Sequence, residues 1–161
     1  MTDREFFIRT VADELPRFER LMKAVPADKP DYKPHPQSRS AMELAGVLAV
    51  DAIGFAPILK TGVLDAATPS PPFKDTNEII GIFSKELQNA KTIAEGMTEA
   101  DWNSEAKMTM GEKVEWQTTK GVMVWGLLFD LIHHRGQLSV YIRPMGGTVP
   151  SIYGPSGDAQ M

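Results

Sequence analysis

Chemistry-capable side chains cluster near the C-terminus, in the run Trp125-Gly-Leu-Leu-Phe-Asp-Leu-Ile-His-His-Arg-Gly-Gln-Leu138. Asp130 and His134 are four residues apart. On a helix they point the same way with Cβ atoms about 5–6 Å apart, close enough to ligate one ion. His134 also falls on the stripe Leu127, Leu131, Leu138, Tyr141, which is expected to face the core. A titratable pair aimed inward on an apolar helix has to be paired, hydrogen-bonded or metal-bound, because burial is otherwise costly. A second acid, Asp51, lies on another apolar stripe, four residues after Val47 and four before Phe55. Asp51, Asp130 and His134 thus form a candidate metal set on two facing helices. Two carboxylates and one imidazole would leave positions open for water or substrate. His133 and Gln137 are candidates to orient the ligands from behind, and His133 has a surface position as its alternative. For each member of the set a plainer role stands beside this one. Asp51 could pair with an arginine, and His134 could be a core histidine bonded to Asp130.

The elements that would position these residues are legible from their ends. Thr2-Asp-Arg-Glu5 and Ser40-Ala-Met-Glu43 fit the capping box, and Asp75-Thr-Asn-Glu78 is a looser version. Each precedes apolar residues at helical spacing. The first helix carries Phe6, Phe7, Val11, Leu15, Phe18, Leu21 and Met22, with a bend expected at Pro16. The second carries Leu44, Val47, Leu48, Phe55 and Leu59, with Gly54 and Pro57 as an expected kink. The third carries Ile79, Ile80, Phe83, Leu87, Ala90, Ile93, Ala94 and Met97, and the fourth runs from about Thr119 to Arg143. These spans predict an all-α four-helix bundle in one domain covering residues 1–161, with an irregular tail over about 147–161. The gap from Thr61 to Lys74 is long enough to cross the bundle. Thr98 to Trp102 suits a short helical turn, and Ala106 to Gln117 reads as extended chain around Met110-Gly111.

Bulk composition narrows the function classes. With 161 residues, 42% hydrophobic and 24% charged, the chain has the makeup of a globular domain. A net charge of −4 argues against nucleic-acid binding. The absence of cysteine excludes disulfides, thiolate zinc sites and cysteine nucleophiles, so a metal must be held by His, Asp, Glu or water. The N-terminus lacks the pattern of a secretory signal, and the longest apolar run, Gly121 to Phe129, is too short to span a bilayer. A cytoplasmic protein that engages no membrane is expected.

The run Ile132-His-His-Arg-Gly-Gln-Leu138, followed by Tyr141-Ile-Arg143, Gly146, Pro150 and Tyr153-Gly154, resembles the DinB/YfiT-like superfamily of small bacterial four-helix proteins. The opening Ser40-Ala-Met-Glu-Leu-Ala45 of the second helix fits as well. The resemblance covers essentially the whole chain. It implies an up-down-down-up bundle, often dimeric, with a divalent metal, commonly zinc or nickel, between the second and fourth helices. It also implies that some relatives are metal-dependent transferases or isomerases using low-molecular-weight thiols. The usual triad is one histidine on the second helix and a His-x-x-x-His on the fourth. Here His134 keeps the last position, Asp130 stands at the first of the pair, and Val47 stands at the second-helix position. Asp51, one turn along on the same side, is the candidate replacement.

The leading expectation is a metal-dependent enzyme acting on a small electrophile by thiol-transfer or hydrolytic chemistry, as a homodimer paired through the first and fourth helices. The alternative is a degenerate, metal-free module that binds a small ligand or a protein.

Overall fold

The computed structural model describes residues 1–159. Four long helices are present: α1 (Asp3–Lys23), α2 (Ala41–Thr61), α3 (Thr76–Gly96) and α5 (Lys120–Ile142). A short helix α4 (Glu99–Trp102) and three strands, β1 (Val63–Asp65), β2 (Glu105–Met110) and β3 (Lys113–Thr119), complete the described elements.

The helix starts follow from local chemistry. At Thr2 and Ser40 the side chain accepts from the N3 amide while Glu5 or Glu43 reaches back to the cap amide, so free donors are satisfied at both ends of the box. Asp75 caps α3 and Thr98 caps α4 by accepting from the Glu78 and Asp101 amides, without the reciprocal half of the box. Despite Gly54 and Pro57, α2 remains helical to Thr61. It ends at Gly62, whose φ of 74° is a left-handed conformation and whose missing Cβ would have met the Glu105 carbonyl oxygen at 2.7 Å.

The helices pack in a ring in which α3 contacts α1 and α2, and α5 contacts α2 and α1. Consecutive helices α1 and α2 therefore lie across the ring, whereas α2 and α3, joined by the long connection over 62–75, are neighbours in it. Inside the ring Phe7, Phe18, Phe55, Phe83, Leu48, Leu87, Leu128 and Leu131 are fully buried. Each such side chain contributes about 1.5–3 kcal/mol relative to exposure. Among the described residues, α2 alone is long and apolar enough to cross a bilayer, with a mean hydropathy of 1.7 over its richest window, of which 56% is buried inside the protein.

The fold is helical but not all-α, which corrects the expectation from sequence. The segment after α2 turns at once into β1, which pairs parallel with β2, while β2 and β3 form an antiparallel hairpin around Gly111. A three-residue strand such as Val63-Leu-Asp65 carries no readable alternation, and its partner is more than forty residues away. The extended chain expected over 106–117 is that hairpin. Beyond α5, residues 147–159 form no helix or strand. Asp158 fastens this tail by accepting from the Val149 amide and from Arg143, each at 2.9 Å.

Candidate metal centre

The α2–α5 contact sets the spacing of the site. Gly54, one turn beyond Asp51, lets Leu127 of α5 and Leu64 of β1 lie against α2; an added Cβ would sit 3.3 Å from Leu127. The close approach brings Asp51 of α2 beside Asp130 and His134 of α5. One ligand-type atom from each of the three lies within 4.8 Å of the others.

The imidazole is held on both sides. His134 Nδ1 lies 2.8 Å from Gln137 Oε1, and Nε2 lies 3.3 Å from Asp130 Oδ2. Because the amide oxygen can only accept, Nδ1 carries the proton, and in the neutral tautomer the Nε2 lone pair faces the carboxylates. Asp51 Oδ2 is buried and has no hydrogen-bond partner among the described residues. Burial first, and then the adjacent Asp130 carboxylate, pushes the Asp51 carboxyl from 3.8 up to about 7, with partial relief from His134 and Arg39. With His134 neutral and Asp51 ionised, three electron-pair donors face one another. Such an arrangement is costly unless a proton or a cation sits at its centre.

The cluster lies at the rim of the helical ring rather than in its interior, contrary to the expected inward stripe. Asp130 is 51% exposed and His134 13%. Both carboxylates open into a groove of about 660 Å³ between α2 and the chain that follows it, walled by Val50, Ile53, Pro57, Leu64, Pro69 and Leu127. Of the expected stripe on α5, Leu131, Leu138 and Tyr141 are buried, whereas Leu127 and His134 are only partly covered; Val124, Leu128, Arg135 and Ile142 complete the buried face, which is thus rotated away from His134 toward Arg135. His133 is exposed, its ring 5.3 Å from that of His134. His35, in the loop before α2, is exposed and accepts from the Gln37 amide. Val47 lines the neighbouring groove and offers no donor atom.

The buried charge on α5 is Arg135, which meets Glu14 of α1; each side chain is within a few per cent of full burial. Arg17 and the Tyr153 hydroxyl complete the carboxylate's partners, at 2.7 and 3.0 Å, and the Arg135 guanidinium lies 4.4 Å over the Phe18 ring. Sequence reasoning missed Glu14. The signal was present, since Phe7, Val11, Glu14, Phe18 and Leu21 recur at helical spacing. This cluster pins the tail against α1 and α5.

A family model described as "DinB family" matches residues 4–160. The chain belongs to the DinB family. An uncharacterised protein, YjoA of Bacillus subtilis, is 30% identical over 137 residues, spanning 83% of this chain and 84% of that protein. A crystal structure of the B. subtilis DinB-like protein YjoA superposes with a TM-score of 0.69 at 22% identity, over 96% of this chain and 99% of that one. A DinB-like protein from Bacillus cereus gives 0.69 at 18% identity, over 92% and 97%. A mycothiol-dependent maleylpyruvate isomerase, crystallised as its H52A mutant, shares the fold at a TM-score of 0.58 and 9% identity. That match takes in 91% of this chain and 62% of the isomerase. The helical DinB-like fold is the one the resemblance of the His-His-Arg-Gly-Gln run implied, whereas the small sheet was not part of that expectation.

Proposed function

We propose that this DinB protein is a metal-dependent enzyme in which Asp51, Asp130 and His134 hold a divalent zinc or nickel ion. The observation that carries the reading is the orphaned, buried Asp51 Oδ2 facing a second carboxylate and the His134 Nε2 lone pair. The donor set fits: carboxylate oxygen and imidazole nitrogen suit both ions, and three protein ligands leave room for a fourth. When bound, such a metal lowers the pKa of a coordinated water or thiol and so supplies a nucleophile at neutral pH.

The remaining work belongs to the chain. Gln137 fixes the tautomer and orientation of His134 through Nδ1. Asp51, with a pKa near 7, is divided between its protonated and ionised forms at neutral pH and gives up its remaining proton on ligation, so it is poised to exchange one there. The apolar groove beside both carboxylates takes the body of a small electrophile and keeps bulk water from it. Thiol-transfer chemistry is favoured over plain hydrolysis by the shared fold of the mycothiol-dependent isomerase. The competing reading, a metal-free binding module, rests on Val47 offering no ligand where a histidine would serve.

Calorimetric titration of untagged protein with zinc and with nickel is the test. Binding that is lost in Asp51→Asn, Asp130→Ala and His134→Ala supports the enzyme reading, and no binding at pH 7.5 overturns it.

The active form in this reading is a homodimer. Phe6, Val122 and Phe129 are exposed, and Trp125 stacks between Phe6 and Phe129 with ring centroids at 5.4 and 5.6 Å. An aromatic face shared by α1 and α5 is suited to a second copy of the chain.

A further inference from the structure

We infer that Arg39 is the anion anchor of this site and that the substrate it selects carries a carboxylate. The inference rests on the metal-centre reading above and adds the substrate class to it.

Seven arginines occur in the chain. Six engage a carboxylate or a main-chain oxygen. Of these arginines, all within the described residues, Arg39 is the one whose side chain makes no hydrogen bond or ion pair, although its backbone is tied down. The hydroxyl of buried Tyr141 donates to the Arg39 carbonyl at 3.1 Å, and the next residue, Ser40, is locked as the cap of α2. The residue is fixed while its guanidinium is left free and exposed.

Its position relative to the acids is what gives the free charge meaning. The groove that holds Asp51 and Asp130 shares the wall residues Val50, Ser70 and Pro71 with a second groove of about 490 Å³, which Arg39 also lines. On its other side Arg39 borders a third groove, whose wall includes Gln137, the partner of His134. Arg39 thus brackets the metal centre from two directions. It also acts electrostatically on Asp51.

The charge balance selects the kind of anion. A divalent ion between two ionised aspartates and a neutral histidine leaves the centre without net charge. Glu43, the acid on the wall of the second groove, is already held by the Ser40 amide at 2.6 Å and by Lys33 at 3.5 Å. One uncompensated positive charge remains, in the planar fork that matches a carboxylate by two parallel hydrogen bonds. A monoanionic carboxylate satisfies it, whereas a phosphate dianion would bring one charge too many into an acidic protein. Between the anchor and the centre the wall is apolar, formed by Val47, Val50, Pro71 and Phe73, and suits a short hydrocarbon spacer. The selected molecule is therefore a small carboxylic acid with its reacting group at the far end of an aliphatic chain. The carboxylate belongs either to the thiol or to its reaction partner.

Three sets of probes separate these cases on the full chain. Mercaptocarboxylates from mercaptoacetate to 6-mercaptohexanoate are titrated by calorimetry into nickel-loaded protein beside mercaptoalcohols of equal length. Plain alkanoates and alkanols are followed by ¹H–¹⁵N NMR on both metal-free and nickel-loaded protein. At one chain length the acid should bind about tenfold more tightly than its alcohol, the discrimination expected of charge-assisted bonding. That ratio should fall to about one in Arg39→Gln and recover in part in Arg39→Lys, with nickel still bound in both variants. Preference confined to mercapto acids places the carboxylate on the thiol, and equal preference for alkanoates places it on the partner. Equal binding of acids and alcohols at every length, or the same ratio in Arg39→Gln, overturns the anchor. Failure of nickel to bind overturns the metal centre, and the alkanoate arm on metal-free protein still decides the role of Arg39.

Discussion

Replacing Asp51 by asparagine should stabilise the metal-free protein at alkaline pH and leave it almost unchanged in acid. The Asp51 carboxyl titrates at about 7 in the fold against 3.8 as a free side chain, chiefly because burial and then Asp130 oppose its charge. A group whose pKa is raised on folding contributes full stability below its unfolded value and loses it as pH rises through the folded one. At 1.36 kcal/mol per pH unit the whole displacement is worth about 4 kcal/mol, of which about 2–3 kcal/mol falls between pH 5 and pH 8. Water reaches the cluster through half-exposed Asp130, which brings the working figure for that interval to about 1–2 kcal/mol. Asparagine keeps the shape, never ionises, and can donate its amide to Asp130 at any pH. Urea unfolding of wild type and Asp51→Asn, in chelator at pH 5 and pH 8, should show the variant gaining about 1–2 kcal/mol over the wild type across that interval, or a few degrees in Tm. A difference between the two proteins that is the same at both pH values would refute the buried-carboxylate argument. So would a variant less stable than wild type at pH 8. With zinc present the order should reverse, because the stabiliser that binds the native state is lost with its ligand.

Zinc or nickel should raise the melting temperature at pH 7.5, and the increment should shrink as pH falls below about 7, where Asp51 regains its proton. A pH-independent increment would argue against these ligands. Gln137→Leu removes the bond to His134 Nδ1 and should weaken metal affinity by about 10–100-fold without unfolding the chain, as read by calorimetry and circular dichroism. Glu14→Gln strands the Arg135 charge among apolar side chains and should cost about 3 kcal/mol, whereas the double change Glu14→Leu with Arg135→Met should cost less; denaturant unfolding of both variants decides. Phe129→Lys places a charge on the aromatic face and should yield a monomer by light scattering, while a wild type that is itself monomeric at micromolar concentration rules out the pairing.

What the sequence determined by itself is what depends on neighbours in the chain. The caps at Thr2, Ser40, Asp75 and Thr98 and the helical spacing of apolar residues are local, and the helices fall where they place them. The i, i+4 relation of Asp130 and His134 is local too, and the approach of Asp51 was legible because it is a lone acid on an apolar face. Tertiary structure decided whatever depends on partners far along the chain. Strand β1 exists only because β2 is beside it, across forty residues of sequence. The phase of α5 was decided likewise: His134 and Arg135 are about 100° apart on the helix, and either could have faced inward. Arg135 went inward because Glu14, 121 residues earlier, supplies a buried counter-charge. His134 was thereby turned to the rim, where it meets Asp51 and opens to a groove. Periodicity fixes which residues share a face, but which face is buried depends on the free energy of placing a charge against a particular partner, and that partner is named only by the fold.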